Sequence, residues 1–450
     1  MKIFINDKIL LMLFESDNEL AFTKERFTIE DKSNVFMGGT FDVRKIKKKC
    51  FLKKRGEFYY LNSGYLYDLL TFVKKESFQV TELKDKRTIF PHQKKEFSNE
   101  ELKVLLPKFN YVEHQVDSLK KLLKFNLGII QAPTSSGKSE TIIAFLKATR
   151  VPSLILVNRV SLALQLKERI ENNGIENVGI CYGKGVVDGD VMISTIGSVG
   201  KIPSLIKYKA LILDEVHRAS AKQFQDFLSK TSYPLRFGFS ATPDSGDFYK
   251  WNLIRQYMGT IIYKIDPEIL MENKVIAKPK IKFIPISSRP TADWPSANIE
   301  CIVKNTIRNN KIKDLVEEHN VPTLILIRNI EHGKTLNDII PNSVFVSGID
   351  DALKRQETIH EFEEGTLNII ISSNIFNEGI SINAIKLLII ASGGKSKIET
   401  IQKLGRGLRV KDDKYEVTVF DFDDYDNYYT SRHSKLRKNI YKKAGFEVIE

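Results

Sequence analysis

The chain has 450 residues, 42% of them hydrophobic and 28% charged, with a formal net charge of +13 and a pI near 9.2. That length predicts two or three domains, and this balance excludes a disordered or fibrous chain. The excess of cations favours a polyanionic partner, and Cys50, Cys181 and Cys301, widely spaced with no C-x-x-C pair, argue against a zinc site or disulfide framework and fit a reducing cytosol.

From the N-terminus, Asn6, Asp7 and Lys8 interrupt the apolar opening, so no signal peptide is predicted. No run of about 18 apolar residues occurs, so no membrane span is predicted either. Residues 1–108 read as short, mixed α/β material. They carry a basic stripe, Arg44, Lys45, Lys47, Lys48, Lys49, Lys53, Lys54 and Arg55, interleaved with Phe41, Phe58, Tyr59 and Tyr60. Such a stripe can grip phosphates and stack on exposed bases. The same pattern fits a basic hairpin whose aromatics pack as core.

Residues 109–278 and 279–424 each alternate continuous apolar runs with amphipathic helices. The runs at 127–131, 153–157, 191–194, 210–213 and 237–240, then 323–327, 343–346, 368–372, 387–391 and 417–420, predict parallel strands covered on both faces. Helices are predicted between them, for example over 162–172 and 352–363. Two α/β domains in tandem follow, and a basic helix or tail over 425–450 closes the chain. Ligands of such sheets sit at the carboxyl ends of strands, so the residues just after each run carry the chemistry.

The first such segment is Ala132-Pro133-Thr134-Ser135-Ser136-Gly137-Lys138-Ser139. A strand, a small-residue loop and a helix start make a phosphate cradle. Lys138 can reach β and γ phosphates, and the Ser139 hydroxyl can ligate Mg²⁺. Ala132 stands where glycine is usual. After the run 210–213 come Asp214-Glu215-Val216-His217. Asp214 is placed to hold Mg²⁺ through water, and Glu215 to orient and deprotonate an attacking water; the plain alternative is a helix N-cap. After 237–240 come Ser240-Ala241-Thr242-Pro243, whose hydroxyls could sense the γ-phosphate state or simply form a turn. Near the end, Gln402-Lys-Leu-Gly-Arg406-Gly-Leu-Arg409 sets Arg406 and Arg409 on one helical face. Arginines reaching a transferring phosphoryl group can be worth about 10³–10⁵ in rate. Gly405 and Gly407 each cost a helix about 1 kcal/mol, which points to close approach of a backbone or ligand rather than to a solvated face.

These four elements, in this order, resemble the superfamily-two DExH helicases and translocases, from about Tyr111 to Asp424. The resemblance implies an α/β fold of two tandem RecA-like parallel-sheet domains with a small α+β N-terminal domain. The boundaries read as 1–108 for the basic N-terminal DNA-binding domain, 109–278 for the first RecA-like domain, 279–424 for the second, and 425–450 for the basic C-terminal helix. It implies ATP and Mg²⁺ as cofactors, Gln115 as the adenine contact, and Gly379 with Ser381 near the ribose, although many members carry Asp where Ser381 stands. It implies coupling through His217, Ser240, Ala241 and Thr242, and backbone contacts to nucleic acid from Arg159, Thr195, Arg328 and Ser373. Gln402 joins Arg406 and Arg409 in the second domain. The layout is most similar to the phage UvsW-type branched-DNA helicases. That implies 3′ to 5′ unwinding and branch migration of DNA forks, four-way junctions and duplex, in recombination, repair and replication, by a monomer in a host bacterial cytoplasm. The alternatives are the motor of a restriction or defence system, an RNA helicase, and a catalytically dead binding module, against which the intact Lys138, Glu215, Arg406 and Arg409 speak. The basic helix over 431–443 is expected either to touch duplex or to pack with a solvated face. Trp294 is expected either to wedge strands apart or to anchor its loop.

Overall fold

Strands that are apolar on both faces must be covered on both, and the first set of runs does this in an eight-stranded sheet. The structure is a computed structural model that describes residues 1–31, 36–37, 40–41, 46–106, 113–183, 185–273, 275–350, 352–373, 384–394 and 416–449. The first sheet runs, in spatial order, Gly185–Val187, Val178–Tyr182, Val191–Thr195, Ser153–Val157, Ala210–Asp214, Leu235–Ser240, Leu127–Gln131 and Ile261–Lys264. All its pairings are parallel except the hairpin at the Gly185–Val187 edge. Leu154, Leu156, Leu211 and Leu213 are almost fully buried against Val216, Ile254 and Met258. Each such side chain contributes about 1.5–3 kcal/mol by leaving water.

The second set forms a seven-stranded, all-parallel sheet in the order Ser343–Val346, Ile369–Ser372, Thr323–Leu326, Leu387–Ile390, Glu416–Tyr425, Lys278–Ser287 and Glu447–Ile449. The expected strand 417–420 is longer than its apolar run. It continues to Tyr425 because it pairs with Lys278–Ser287 over its whole length, from Lys278↔Glu416 to Ser287↔Tyr425. Asp421 and Asp424 broke the apolar pattern, and both are buried with partners. Arg437 donates to both oxygens of Asp421 at 2.9 Å, and Arg308 reaches Asp424 at 2.6 Å. A buried carboxylate is tolerable only when paired and hydrogen-bonded in this way.

The C-terminal helix spans Tyr428–Lys443 and is capped by Asn427, which accepts from the N–H groups of Tyr429 and Thr430. It packs through His433, Ser434, Arg437 and Tyr441, while Arg432, Lys435, Lys442 and Lys443 face solvent. The chain then adds the edge strand Glu447–Ile449. Trp294 starts a short helix and lies against His433, ring centroids 4.2 Å apart; it anchors its segment.

The N-terminal residues build a five-stranded sheet ordered Lys53–Arg55, Phe58–Asn62, Ile9–Leu13, Lys2–Ile5 and Glu82–Asp85. It packs on the helix Phe248–Met258, whose Leu253 joins its core. The polar side of that joint is tight. Arg255 donates to both oxygens of Asp68, Tyr65 Oη donates to the Asn252 carbonyl at 3.1 Å, and the buried Arg236 donates to Asp7 O at 3.0 Å and Ser63 Oγ at 2.6 Å. By packing, the chain divides into two compact units: Met1–Ala132 with Gly137–Ile265, and Asp266–Glu450 with Pro133–Ser136. Among the described residues no helix is long and apolar enough to cross a membrane.

Candidate nucleotide site and nucleic-acid contacts

At the carboxyl end of Leu127–Gln131 the chain turns through Ala132–Gly137 into the helix Lys138–Thr149. Ser135 (φ 68°) and Gly137 (φ 82°) both take left-handed backbone, the alternation from which N–H groups line an anion-binding concavity. Gly137 caps the helix without a side-chain bond, so its first N–H groups remain available to an anion. No side chain fits at Gly137: a Cβ there would stand 2.0 Å from Gln115 Nε2. Gln115 is thus buried directly against the phosphate loop. Lys138 Nζ makes one long contact, 3.4 Å to Ala132 O, and Ser136 Oγ donates to Pro133 O at 2.8 Å.

Asp214 ends the strand Ala210–Asp214 and accepts the Glu215 N–H at 3.1 Å. Burial first, and repulsion from Glu215 second, push its carboxyl up to about 6; the nearby Lys138 pulls the other way. Glu215 sits at φ 55° and ψ 54°, a conformation costing a non-glycine residue about 1–3 kcal/mol. That bend aims its carboxylate at two partners. His217 Nδ1 lies 3.2 Å from Glu215 Oε2 and 3.0 Å from Ser240 Oγ, and Ser240 Oγ donates to Glu215 Oε2 at 3.4 Å. The Thr242 N–H donates to Ser240 Oγ at 3.2 Å, so the serine hydroxyl is the hub of the cluster. Its backbone also serves the loop, since Ser240 O accepts the Ala132 N–H at 2.9 Å. Thr242 Oγ1 is buried with no partner among the described residues, a polar group left for something else to satisfy.

The residues expected to touch nucleic acid lie at strand ends. Thr195 ends the strand Val191–Thr195, paired with Val157, and Arg159 lies two residues past Val157; Thr195 Oγ1 donates to Ser198 Oγ at 3.3 Å. In the second sheet, Arg328 is exposed just past Thr323–Leu326, and Ser373 follows the neighbouring strand Ile369–Ser372. Gly379, Ser381, Gln402, Arg406, Arg409, Arg44 and Lys45 lie outside the described residues.

The basic stripe divides between two strands. Lys47, Lys48 and Lys49 are exposed on Lys47–Cys50, where Lys48 stands opposite Glu30 and Lys47 opposite Asp31. Lys53, Lys54 and Arg55 are exposed on an edge strand. The aromatics are largely engaged: Tyr59 packs edge-on to Phe14, while Lys54 and Lys53 lie over the Tyr59 and Tyr60 rings at 5.7 and 5.9 Å. Phe58 keeps 37% exposure. The residues not foreseen are those that join the small sheet to the first lobe. Arg236 had a signal, a lone charge inside the run Leu235–Ser240; Asn62, Gln225 and Gln256 had none.

Two family models match the chain: "Type III restriction enzyme, res subunit" over residues 108–245 and "Helicase conserved C-terminal domain" over residues 308–411. Together they span more than half of it. The chain belongs to the superfamily-two helicases. The helicase is 25% identical to the DNA 3′-5′ translocase XPB2 of Sulfurisphaera tokodaii over 350 residues, 67% of this chain and 79% of that protein. It is 27% identical to the ATP-dependent DNA helicase uvsW of Enterobacteria phage T4 over 345 residues, 69% of this chain and 68% of that one. Among solved structures, Saccharomyces cerevisiae Dbp5 bound to RNA and ADP BeF3 shares the fold, with a TM-score of 0.54 at 14% identity over 78% of this chain and 95% of that one. The helicase is therefore an ATP-dependent enzyme with two RecA-like domains. Its Ser139 hydroxyl and Asp214 carboxylate are hard oxygen donors. They fit Mg²⁺, which protein sites hold through one or two carboxylates together with phosphate oxygens.

Proposed function

We propose that the helicase is a 3′ to 5′ DNA translocase that unwinds and branch-migrates forked and junction DNA. The observation that carries the hydrolytic half is the Glu215–His217–Ser240 cluster beside the phosphate loop. Lys138 and the N–H groups of the loop bind the β and γ phosphates. Ser139 and Asp214 would hold Mg²⁺, which would neutralise charge on those phosphates. Glu215 orients the attacking water and takes its proton. Ser240 and His217 hold that carboxylate in place and report its state along the Ser240–Thr242 segment. We assign Gln402, Arg406 and Arg409 to the same phosphates on their sequence motif alone, and Gln115 to the adenine edge because it lies against Gly137.

The DNA half is supported by the two relatives named for DNA and by the exposed lysines of the N-terminal sheet. Arg159, Thr195, Arg328 and Ser373, at the ends of neighbouring strands, are the proposed grips on the phosphodiester track. The test is one series of ATPase and unwinding assays on single strands, linear duplex, forks, four-way junctions and RNA. Forks and junctions should stimulate most, and the Lys138→Ala chain should bind DNA without turnover. Equal stimulation by linear duplex removes the branched-DNA reading, preference for RNA replaces DNA, and normal turnover by Lys138→Ala overturns the phosphate-loop assignment.

A further inference from the structure

Gln225, on the helix Lys222–Lys230, stands behind the hydrolytic cluster rather than in it. Its Nε2 donates to Ala219 O at 2.6 Å and to Leu253 O at 2.9 Å. Ala219 belongs to the tight turn Val216–Ser220, which follows Glu215 directly and contains His217. Gln225 Oε1 accepts from Gln256 Nε2 at 2.8 Å, and Gln256 Oε1 accepts from Asn62 Nδ2 at 2.8 Å. Backbone carbonyls can only accept, so the Gln225 amide can face Ala219 and Leu253 one way only. That choice orients Gln256, which in turn orients Asn62. The three amides form a one-way chain from the small N-terminal sheet to the turn that carries His217.

Both ends of the chain are clamped. Asn62 ends the strand Phe58–Asn62, and two residues on, Gly64 presses on the motor backbone so closely that a Cβ would stand 2.1 Å from Arg255 O. On its other side the turn is packed by the sheet: a Cβ on Gly238 would lie 2.6 Å from Val216 Cγ2. The turn therefore has little freedom except through the amide chain.

We propose that Gln225 is a positioning residue for ATP hydrolysis, and that through Gln256 and Asn62 it ties the setting of Glu215 and His217 to the N-terminal subdomain. This rests on Glu215 being the residue that orients the water. Glu215 holds a left-handed backbone, which persists only where its surroundings over-determine it. A shift of about 1 Å in such a group can cost about 10²-fold in rate. The bonds given for the amide chain run to Ala219, Leu253 and one another, so the effect belongs in kcat and not in the KM for ATP.

The test is steady-state ATP hydrolysis by the full chain at saturating single-stranded DNA, with thermal unfolding measured alongside. Gln225→Met should lower kcat about tenfold, the rate equivalent of one ordinary hydrogen bond, with KM for ATP unchanged. Asn62→Ala, at a partly buried position of the N-terminal sheet, should lower kcat about threefold, and the double variant should be no slower than Gln225→Met alone. Should Gln225→Met not fold, Gln256→Leu replaces it in the same comparison. Independent, multiplying effects of the two ends, or a rise in KM with kcat intact, overturn the proposal; so does a lowered melting temperature with both constants unchanged. Glu215→Gln is run in parallel. If it retains turnover, the reading of Glu215 fails by itself, whatever the amide variants do.

Discussion

Single side chains show why a charge inside an apolar pattern is worth reading. His332 is buried, with Nε2 2.9 Å from Asn309 Oδ1, and burial followed by the nearby Arg308 guanidinium pulls its imidazole down to about 3. The unfolded chain titrates this group near 6.5. Between those values the unfolded state binds the extra proton, so stability rises with pH there and is lost as pH falls from 6.5 toward 3. The loss from this group should steepen from about 0.7 kcal/mol per pH unit at pH 6.5 to about 1.4 near pH 5. Chemical denaturation across that range should show a shallower slope in His332→Gln, which keeps a donor for Asn309; an unchanged slope refutes the assignment. Arg437 makes the complementary case. Its four donations, to Asp421, Phe422 O and Gly394 O, make it part of the interior of a helix whose sequence reads as uniformly basic. Lysines and arginines three and four apart predict a solvated stripe. They cannot reveal which one meets an aspartate sixteen residues earlier on the neighbouring strand.

Elements built from continuous apolar runs were legible, and elements held by polar tertiary contacts were not. Nine of the ten runs named from the sequence end within two residues of the observed strands; the tenth, 417–420, grew because its ladder partner is ten residues long. The helix Phe248–Met258 has no comparable signature. Its Leu253 and Tyr249 serve the N-terminal core while its Ile254 and Met258 serve the first sheet, so its apolar residues do not form one stripe. Its fit against the Ser63–Tyr65 turn depends on Gly64. Gly64→Ala would force a methyl into the Arg255 and Gln256 backbone, and overpacking of this kind costs about 1–3 kcal/mol. A lowered melting temperature is the expected result. No loss of stability would mean that this joint is looser than its geometry.

For the molecule as a whole, the joint between the small sheet and the first lobe decides how its basic face must be tested. Deleting the N-terminal residues would bare Arg236, Tyr249 and Leu253, so a truncated chain reports instability rather than loss of a DNA contact. Charge reversal avoids this. Changing Lys47, Lys48, Lys53 and Lys54 to Glu should weaken binding to branched DNA and flatten the log–log salt slope by about 3–4, one counterion per lost phosphate contact. ATPase without DNA should be unaffected; an unaltered salt slope would remove this face from the DNA path. The phosphate loop, the Asp214–Glu215 pair and the tandem parallel sheets could be read in the chain alone, because each depends on neighbours within a few residues: an apolar run, a turn, a helix start. The hub at Ser240, the pairing of Asp421 and Asp424, and the amide chain from Asn62 to Ala219 emerge only on folding. Apart from the Thr242 N–H and Ala219 O, their partners lie 16 to 194 positions apart, and a hydrogen bond over such a separation leaves no periodicity to read.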